Sequence, residues 1–184
     1  MSKDKSNIRS LSLDEIKNFF KVNNEKSFRG QQVYDWLWKK GIKDFDKMSN
    51  LNNNLKTLLN NHFYINSLEI SKIQKSNDNT IKFAFKLSDY SDIEGVLIPS
   101  NRRLTACISS QVGCSLSCKF CATGKLKRLR NLLPDEIYDQ VFLINEEVKK
   151  IYKRKITNIV FMGMGEPLLN YKNVLKSIEK ITSK

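Results

Sequence analysis

The sequence is 184 residues long and 40% hydrophobic, with a formal net charge of +13 from 32 Lys and Arg against 19 Asp and Glu. This length allows one domain, or a small domain plus part of another, with a sizeable core. No stretch approaches the roughly 18 apolar residues of a membrane span, Met1–Asn7 leads into no apolar signal core, and all four cysteines lie between Cys107 and Cys121; a cytoplasmic protein is expected and a disulfide scaffold is excluded.

Residues 1–65 read as a helical domain. Ser12-Leu-Asp-Glu15 is a Ser-x-x-Glu capping box, which predicts a helix through about Lys21. Ser27 opens a second helix with Phe28, Tyr34, Leu37 and Trp38 on its apolar face and Gly41 as its stop. Leu51, Leu55, Leu58 and Leu59 set a third at helical spacing. Arg29, Lys39, Lys40 and Lys43 give these helices basic ends. Such a domain suits RNA, through counterion release, or serves as a packed cap in a composition whose lysines are spread over every surface.

Residues 66–103 switch to period two and read as a β-hairpin and strand connector. Leu68, Ile70 and Ile73 mark one strand, with a phase slip between Ile70 and Ile73; Ile81, Phe83, Phe85 and Leu87 alternate cleanly on the next. Ser76-Asn-Asp-Asn79 between them is turn chemistry. A third strand covers about Glu94–Ile98, stopped by Pro99, and a fourth runs from about Leu104 to Ile108.

From residue 104 the order becomes strand, loop, helix, strand, loop, helix. Pro134-Asp-Glu136 opens a helix with Ile137, Val141, Ile144 and Val148 as its apolar stripe. Thr157–Met162 is a buried-type strand broken by Gly163-Met-Gly165, and a last helix covers about Tyr171–Thr182. The fold class is therefore α/β, and the repeated βα units imply a parallel sheet. Two such units cannot close a barrel.

Cys114-Ser-Leu-Ser-Cys118-Lys-Phe-Cys121 has the spacing C-x₃-C-x₂-C, with the aromatic Phe120 before the last cysteine. A structural zinc site pairs two C-x₂-C-like halves. No second half exists here, and the only histidine, His62, lies far upstream. Three thiolates can hold three irons of a cubane cluster and leave the fourth open, whereas ordinary [4Fe–4S] carriers use four cysteines. Downstream, Met162-Gly-Met-Gly-Glu-Pro167 follows a strand; its glycines permit close backbone approach, and the Glu166 carboxylate suits an ammonium group.

The cysteine loop resembles the radical S-adenosylmethionine (SAM) superfamily. Cys107-Ile-Ser-Ser-Gln-Val-Gly-Cys114, Cys121-Ala-Thr-Gly124, Arg130-Asn-Leu132, Gly163-Met-Gly-Glu-Pro-Leu-Leu-Asn170 and Phe28-Arg-Gly-Gln-Gln32 are similar to the dual-specificity 23S rRNA/tRNA adenine-C2 methyltransferases within it. The resemblance implies a [4Fe–4S] cluster on Cys114, Cys118 and Cys121, and SAM held with Phe120, Gly165 and Glu166. It implies 23S rRNA and tRNA as substrates and a flavodoxin-like electron donor. The fold it implies is an incomplete radical SAM barrel, of partial TIM type, over residues 104–184.

Adenine C2 lies between two ring nitrogens and is too electron-poor to attack a SAM methyl group directly. In the family a deoxyadenosyl radical takes hydrogen from a methyl carried on a C-terminal cysteine, and the carbon radical formed adds to C2. By resemblance Cys107 is the resolving cysteine that forms a disulfide with the carrier, and Glu94 accepts the C2 proton. Read alone, Cys107 is a small buried strand residue and Glu94 a solvated face. No cysteine follows Cys121, so the expectation is an N-terminal fragment that ligates a cluster without methylating RNA. Two other readings stand beside this one: adenine-C8 methylation within the same superfamily, and a non-catalytic RNA-binding module whose loop holds zinc.

Overall fold

A computed structural model describes residues 5–183, which form two compact units divided between Asn66 and Ser67. The first is helical. β1 (Ser6–Asn7) precedes α1 (Leu13–Val22), which opens on the expected capping box: Glu15 N–H donates to Ser12 Oγ (3.2 Å) and Ser12 N–H to Glu15 Oε2 (2.7 Å). α2 (Phe28–Trp38) crosses α1 at Gly30, where a Cβ would lie 2.7 Å from Lys17 Cα. Close approach of the two backbones fixes glycine there. Its buried face is Gly30, Val33, Leu37 and Trp38. Phe28 is exposed and Tyr34 half-buried, contrary to the expected face, because the Gly30 crossing sets which side of the helix is covered. α2 ends short of Gly41, whose φ of +59° lets Ile42 N–H return to Trp36 O. α3 (Asn53–His62) is capped by Asn52 and buries Leu55 and Leu59. β2 (Phe63–Tyr64) then pairs in parallel with β1.

The second unit is built on a five-stranded sheet: β3 (Glu69–Lys75), β4 (Ile81–Lys86), β5 (Asp92–Pro99), β6 (Leu104–Cys107) and, after a crossover, β9 (Asn158–Val160). β3 to β6 run antiparallel, and β6 and β9 pair in parallel. The hairpin and connector strands thus share one sheet with the first βα strands. The slip between Ile70 and Ile73 is a β-bulge: Ile70 faces Phe85 and Lys72 faces Ala84, leaving Ser71 as the extra residue. Asn79, at φ +65°, closes the hairpin.

β7 (Gln111–Val112) and β8 (Arg130–Asn131) form a separate antiparallel pair. α4 (Pro134–Tyr152) and α5 (Tyr171–Thr182) cover one sheet face. There Phe83, Phe85, Ile93, Leu97 and Ala106 pack with Ile137, Val141, Ile144, Val148 and Val174. At about 25 cal/mol per Å² of buried apolar area, this two-layer core dominates the unit's stability.

β9 is shorter than the strand expected over Thr157–Met162. Ile108 N–H bonds Val160 O, but Ile108 O receives Gly163 N–H rather than that of Met162. One residue is looped out at Phe161–Met162, and the ladder ends. Among the described residues no helix is long and apolar enough to cross a membrane.

Candidate active site

The segment Ile108–Gln111 leaves β6 and carries the chain into the cysteine loop. Past Ile108 its backbone groups have left the β6–β9 ladder and are buried, so they need other partners. Gln140 of α4, fully buried, accepts from Ser109 N–H (2.8 Å) and donates to Ser109 O (3.0 Å). Ser109 Oγ donates to Glu94 O (2.6 Å) and accepts Met164 N–H (2.8 Å). Asn170 Nδ2 donates to Ser110 O (2.8 Å) and Leu132 O (2.9 Å). Sequence reasoning missed these residues, though Gln140 carried a signal: it is a polar residue set among Ile137, Val141 and Ile144 on an apolar stripe.

Against this segment lies the glycine turn. Ser110 and Gln111 N–H groups both reach Met164 O (2.9 and 3.2 Å), and Gly163 N–H reaches Ile108 O (3.0 Å). A Cβ on Gly163 would stand 2.7 Å from the Ile108 carbonyl, and one on Gly165, at φ +92°, would collide with the Gln111 side chain. Both positions therefore require glycine. Glu166 follows as the N-cap of a single 3₁₀ turn, Pro167–Asn170, with Oε1 accepting Leu168 N–H (3.0 Å).

The cysteine loop is closed at its base by β7 and β8, where Gln111 pairs with Asn131 and Val112 with Arg130, and Leu129 N–H adds a bond to Val112 O (2.8 Å). Gly113, at φ +74°, lets the Lys127 carbonyl pass where a Cβ would be. Within the loop Cys114 and Cys121 are half-buried, Cys118 is exposed, and Phe120 is 94% exposed. Leu116 N–H points at Cys114 Sγ (3.4 Å). Backbone N–H groups of Gly124 and Thr123 hold the Cys121 thiol below its ordinary pKa. An open cavity of about 460 Å³ borders Cys114, Ser117, Gly124, Lys125, Lys127 and Arg128.

This donor set fits an iron–sulfur cluster: thiols only, no histidine or carboxylate, with amide N–H groups turned toward sulfur as thiolate ligands require. Among the described residues no three His, Cys, Asp or Glu side chains are drawn into one metal-holding group. The fold closes the loop's base and leaves the three sulfurs apart.

Cys107 and Glu94 lie on the sheet face opposite the helices. Cys107 pairs directly with Val96, two residues from Glu94 on the same face of β5. Cys107 is buried, which pushes its thiol pKa up, against a smaller lowering by the Met162 N–H. Glu94 is half-exposed, with Oε1 2.6 Å from Lys82 Nζ of β4.

Comparison with known proteins finds matches in both units. Residues 6–65 match the family described as Ribosomal RNA large subunit methyltransferase N-terminal domain, and residues 108–184 match the Radical SAM superfamily. A probable dual-specificity RNA methyltransferase RlmN of Cytophaga hutchinsonii is 61% identical over 176 residues, covering 96% of this chain and 48% of that protein. Its counterpart in Christiangramia forsetii is 54% identical, covering 97% of this chain and 51% of that protein. A crystal structure of a radical SAM methyltransferase from Sphaerobacter thermophilus superposes with a TM-score of 0.84 at 31% identity, covering 97% of this chain and 52% of that one. The chain thus spans about half the length of the curated relatives it matches.

Proposed function

We propose that this chain, which matches the Radical SAM superfamily over residues 108–184 and spans about half the length of relatives named dual-specificity RNA methyltransferase, has a part in adenine-C2 methylation of 23S rRNA and tRNA in the cytoplasm. The observation that carries the reading is a three-thiol loop closed at its base and keyed, through Gln111 and Gly165, to a glycine turn ending in Glu166. Cys114, Cys118 and Cys121 would hold the [4Fe–4S] cluster, leaving one iron for SAM. When bound, the pair supplies one-electron chemistry, which a carbon as electron-poor as adenine C2 requires. A flavodoxin-like protein is the proposed source of the electron.

The remaining roles fall to groups of this chain. Glycines at 163 and 165 let the turn pack directly on Ile108 and Gln111, which sets Glu166 beside the segment that leads into the cysteine loop. The Glu166 carboxylate keeps Oε2 for the SAM ammonium while Oε1 caps Leu168. Phe120, the aromatic beside Cys121, offers an exposed ring at the same loop. Glu94 is the proposed acceptor of the C2 proton: of the β5 carboxylates on the sheet face that carries Cys107 it lies nearer in register to Cys107 than Asp92 does, and it reaches solvent. Cys107 supplies one thiol of the pair that releases the product. Its partner is none of the other cysteines of this sequence if those three ligate iron, so a carrier cysteine from outside these residues completes the reaction.

Anaerobic reconstitution with iron and sulfide tests this reading. The expected result is a brown chain with about four irons, lost on replacing any of Cys114, Cys118 or Cys121 by Ala. A colourless chain holding about one zinc overturns it in favour of an RNA-binding module. Mass-spectrometric mapping of RNA methylated by a full-length relative carrying this segment is expected to find 2-methyladenine; 8-methyladenine would overturn the C2 assignment.

A further inference from the structure

Gln111 is fully buried and makes contacts to both halves of the site. Its Oε1 accepts Glu166 N–H at 3.0 Å, and its Nε2 donates to Asn131 Oδ1 at 2.8 Å. Its own N–H bonds Met164 O, and its side-chain stem fills the space a Cβ on Gly165 would take. Asn131 is its cross-strand partner at the base of the cysteine loop, and there Asn131 Oδ1 also accepts from Arg128 Nη1 (3.2 Å) while Nδ2 donates to Leu169 O (3.2 Å). The two amides thus tie together the strand that enters the cysteine loop, the strand that leaves it, and the chain on either side of Glu166.

We infer that Gln111 and Asn131 are positioning residues that hold the Gly165–Glu166 turn in register with the three-cysteine loop, and so determine the affinity for SAM without ligating iron. The reason lies in what each half must hold. Cys114, Cys118 and Cys121 lie within one loop and can take up iron wherever the turn stands. SAM must meet the open iron and the Glu166 carboxylate together, so an error in their spacing falls on SAM alone. Gln111 joins the halves directly: its backbone runs through Gly113 into Cys114, and its side chain accepts a hydrogen bond from Glu166 N–H. A buried amide suits this task because both of its atoms are directional and neither adds charge beside the cluster.

The inference rests on the cluster-and-SAM reading above, and the test separates the two. The full chain is reconstituted anaerobically as wild type and as Gln111→Met, Asn131→Leu and Asn131→Asp. Gln111→Met keeps the stem against Gly165 and removes both amide bonds. Asn131→Asp keeps the acceptor for Gln111 Nε2 and for Arg128, whose guanidinium offsets the added charge, and gives up only the bond to Leu169 O. Iron per chain and the electron paramagnetic resonance spectrum of the reduced cluster before SAM addition are expected to match wild type in all three. The SAM-induced change in that spectrum is expected to need about tenfold more SAM in Gln111→Met and Asn131→Leu, and to stay within about threefold of wild type in Asn131→Asp. Amide hydrogen exchange at Glu166 is expected to quicken in Gln111→Met with no cluster present.

Equal SAM dependence in Gln111→Met and wild type overturns the positioning role and leaves the cluster reading standing. Loss of iron in Gln111→Met also overturns it, by showing the amide to be needed for the loop itself. A wild-type chain that takes up iron and does not respond to SAM overturns both.

Discussion

Two cysteines close in sequence have opposite surroundings, and their reactivity should differ accordingly. Cys107 is packed into β6, and desolvation of its thiolate raises the thiol pKa. Cys118 is exposed in the loop. In the metal-free chain at pH 7.5, iodoacetamide is expected to modify Cys118 first and Cys107 last, by on the order of tenfold or more. Because the Cys107 pKa is raised, its labelling should keep climbing as pH rises. Peptide mass mapping over a time course reads both. Equal early labelling of Cys107 would mean that β6 opens readily. Under the resolving role proposed for Cys107, a thiol kept covered in this way is shielded from side reactions until its partner reaches it.

Among the elements, β8 and α4 are held together by one side chain. Arg130 grips the buried Glu136 through two bonds, Nη1 to Oε2 at 2.7 Å and Nη2 to Oε1 at 2.9 Å, and reaches Asp89 in the β4–β5 turn at 2.7 Å. Removing it would leave a buried carboxylate unpaired, so Arg130→Ala is expected to cost about 3 kcal/mol. Asp89 is 42% exposed, so Asp89→Asn should cost less than about 1 kcal/mol. The Arg130 guanidinium lowers the Asp89 carboxyl to about 2. Its folded value is below its unfolded one, so its contribution is complete above about pH 4 and fades as pH falls toward 2. Urea titrations at pH 7 and pH 3 check this. The Asp89→Asn deficit should shrink at the lower pH, and an Arg130→Ala chain as stable as wild type would refute the bridge.

Much at this scale was legible beforehand. Ser12 and Glu15 announced α1 and Ser76–Asn79 announced a hairpin, because each is decided by residues a few positions apart; the slip after Ile70 was visible, and its pairing showed it to be a bulge. The network around Ser109 was not legible. Gln140, Asn170 and Gln111 act across 31 to 60 residues of sequence, and a buried amide reads like any polar residue until the fold shows which carbonyl it meets. The apolar face of α2 was misread for a related reason, since the Gly30 crossing that decides it is a tertiary event.

For the molecule as a whole, a net charge of +13 bears on the proposed RNA substrates. If RNA binding is electrostatic, affinity for a 23S rRNA hairpin should fall by on the order of a hundredfold or more between 50 and 200 mM salt. Fluorescence anisotropy measures this, and a flat salt dependence would argue against phosphate contacts. The sequence placed a boundary near residue 66, where helical spacing gives way to period two, and set a connector over 66–103 apart from the βα strands, whereas the structure has one unit from Ser67 onward. It could not show that the connector strands and the βα strands share one sheet, since strand order depends on pairings between distant residues.

The closed base of the cysteine loop has a consequence in entropy. A flexible segment from Gly113 to Leu129 that gathered three sulfurs around iron would first lose the freedom of its ends, a cost on the order of 2 kcal/mol that grows with the logarithm of its length. Here β7 and β8 have already brought those ends together during folding. Iron therefore meets a loop whose ends are no longer free, and should bind it more tightly than it binds a free peptide of the same sequence.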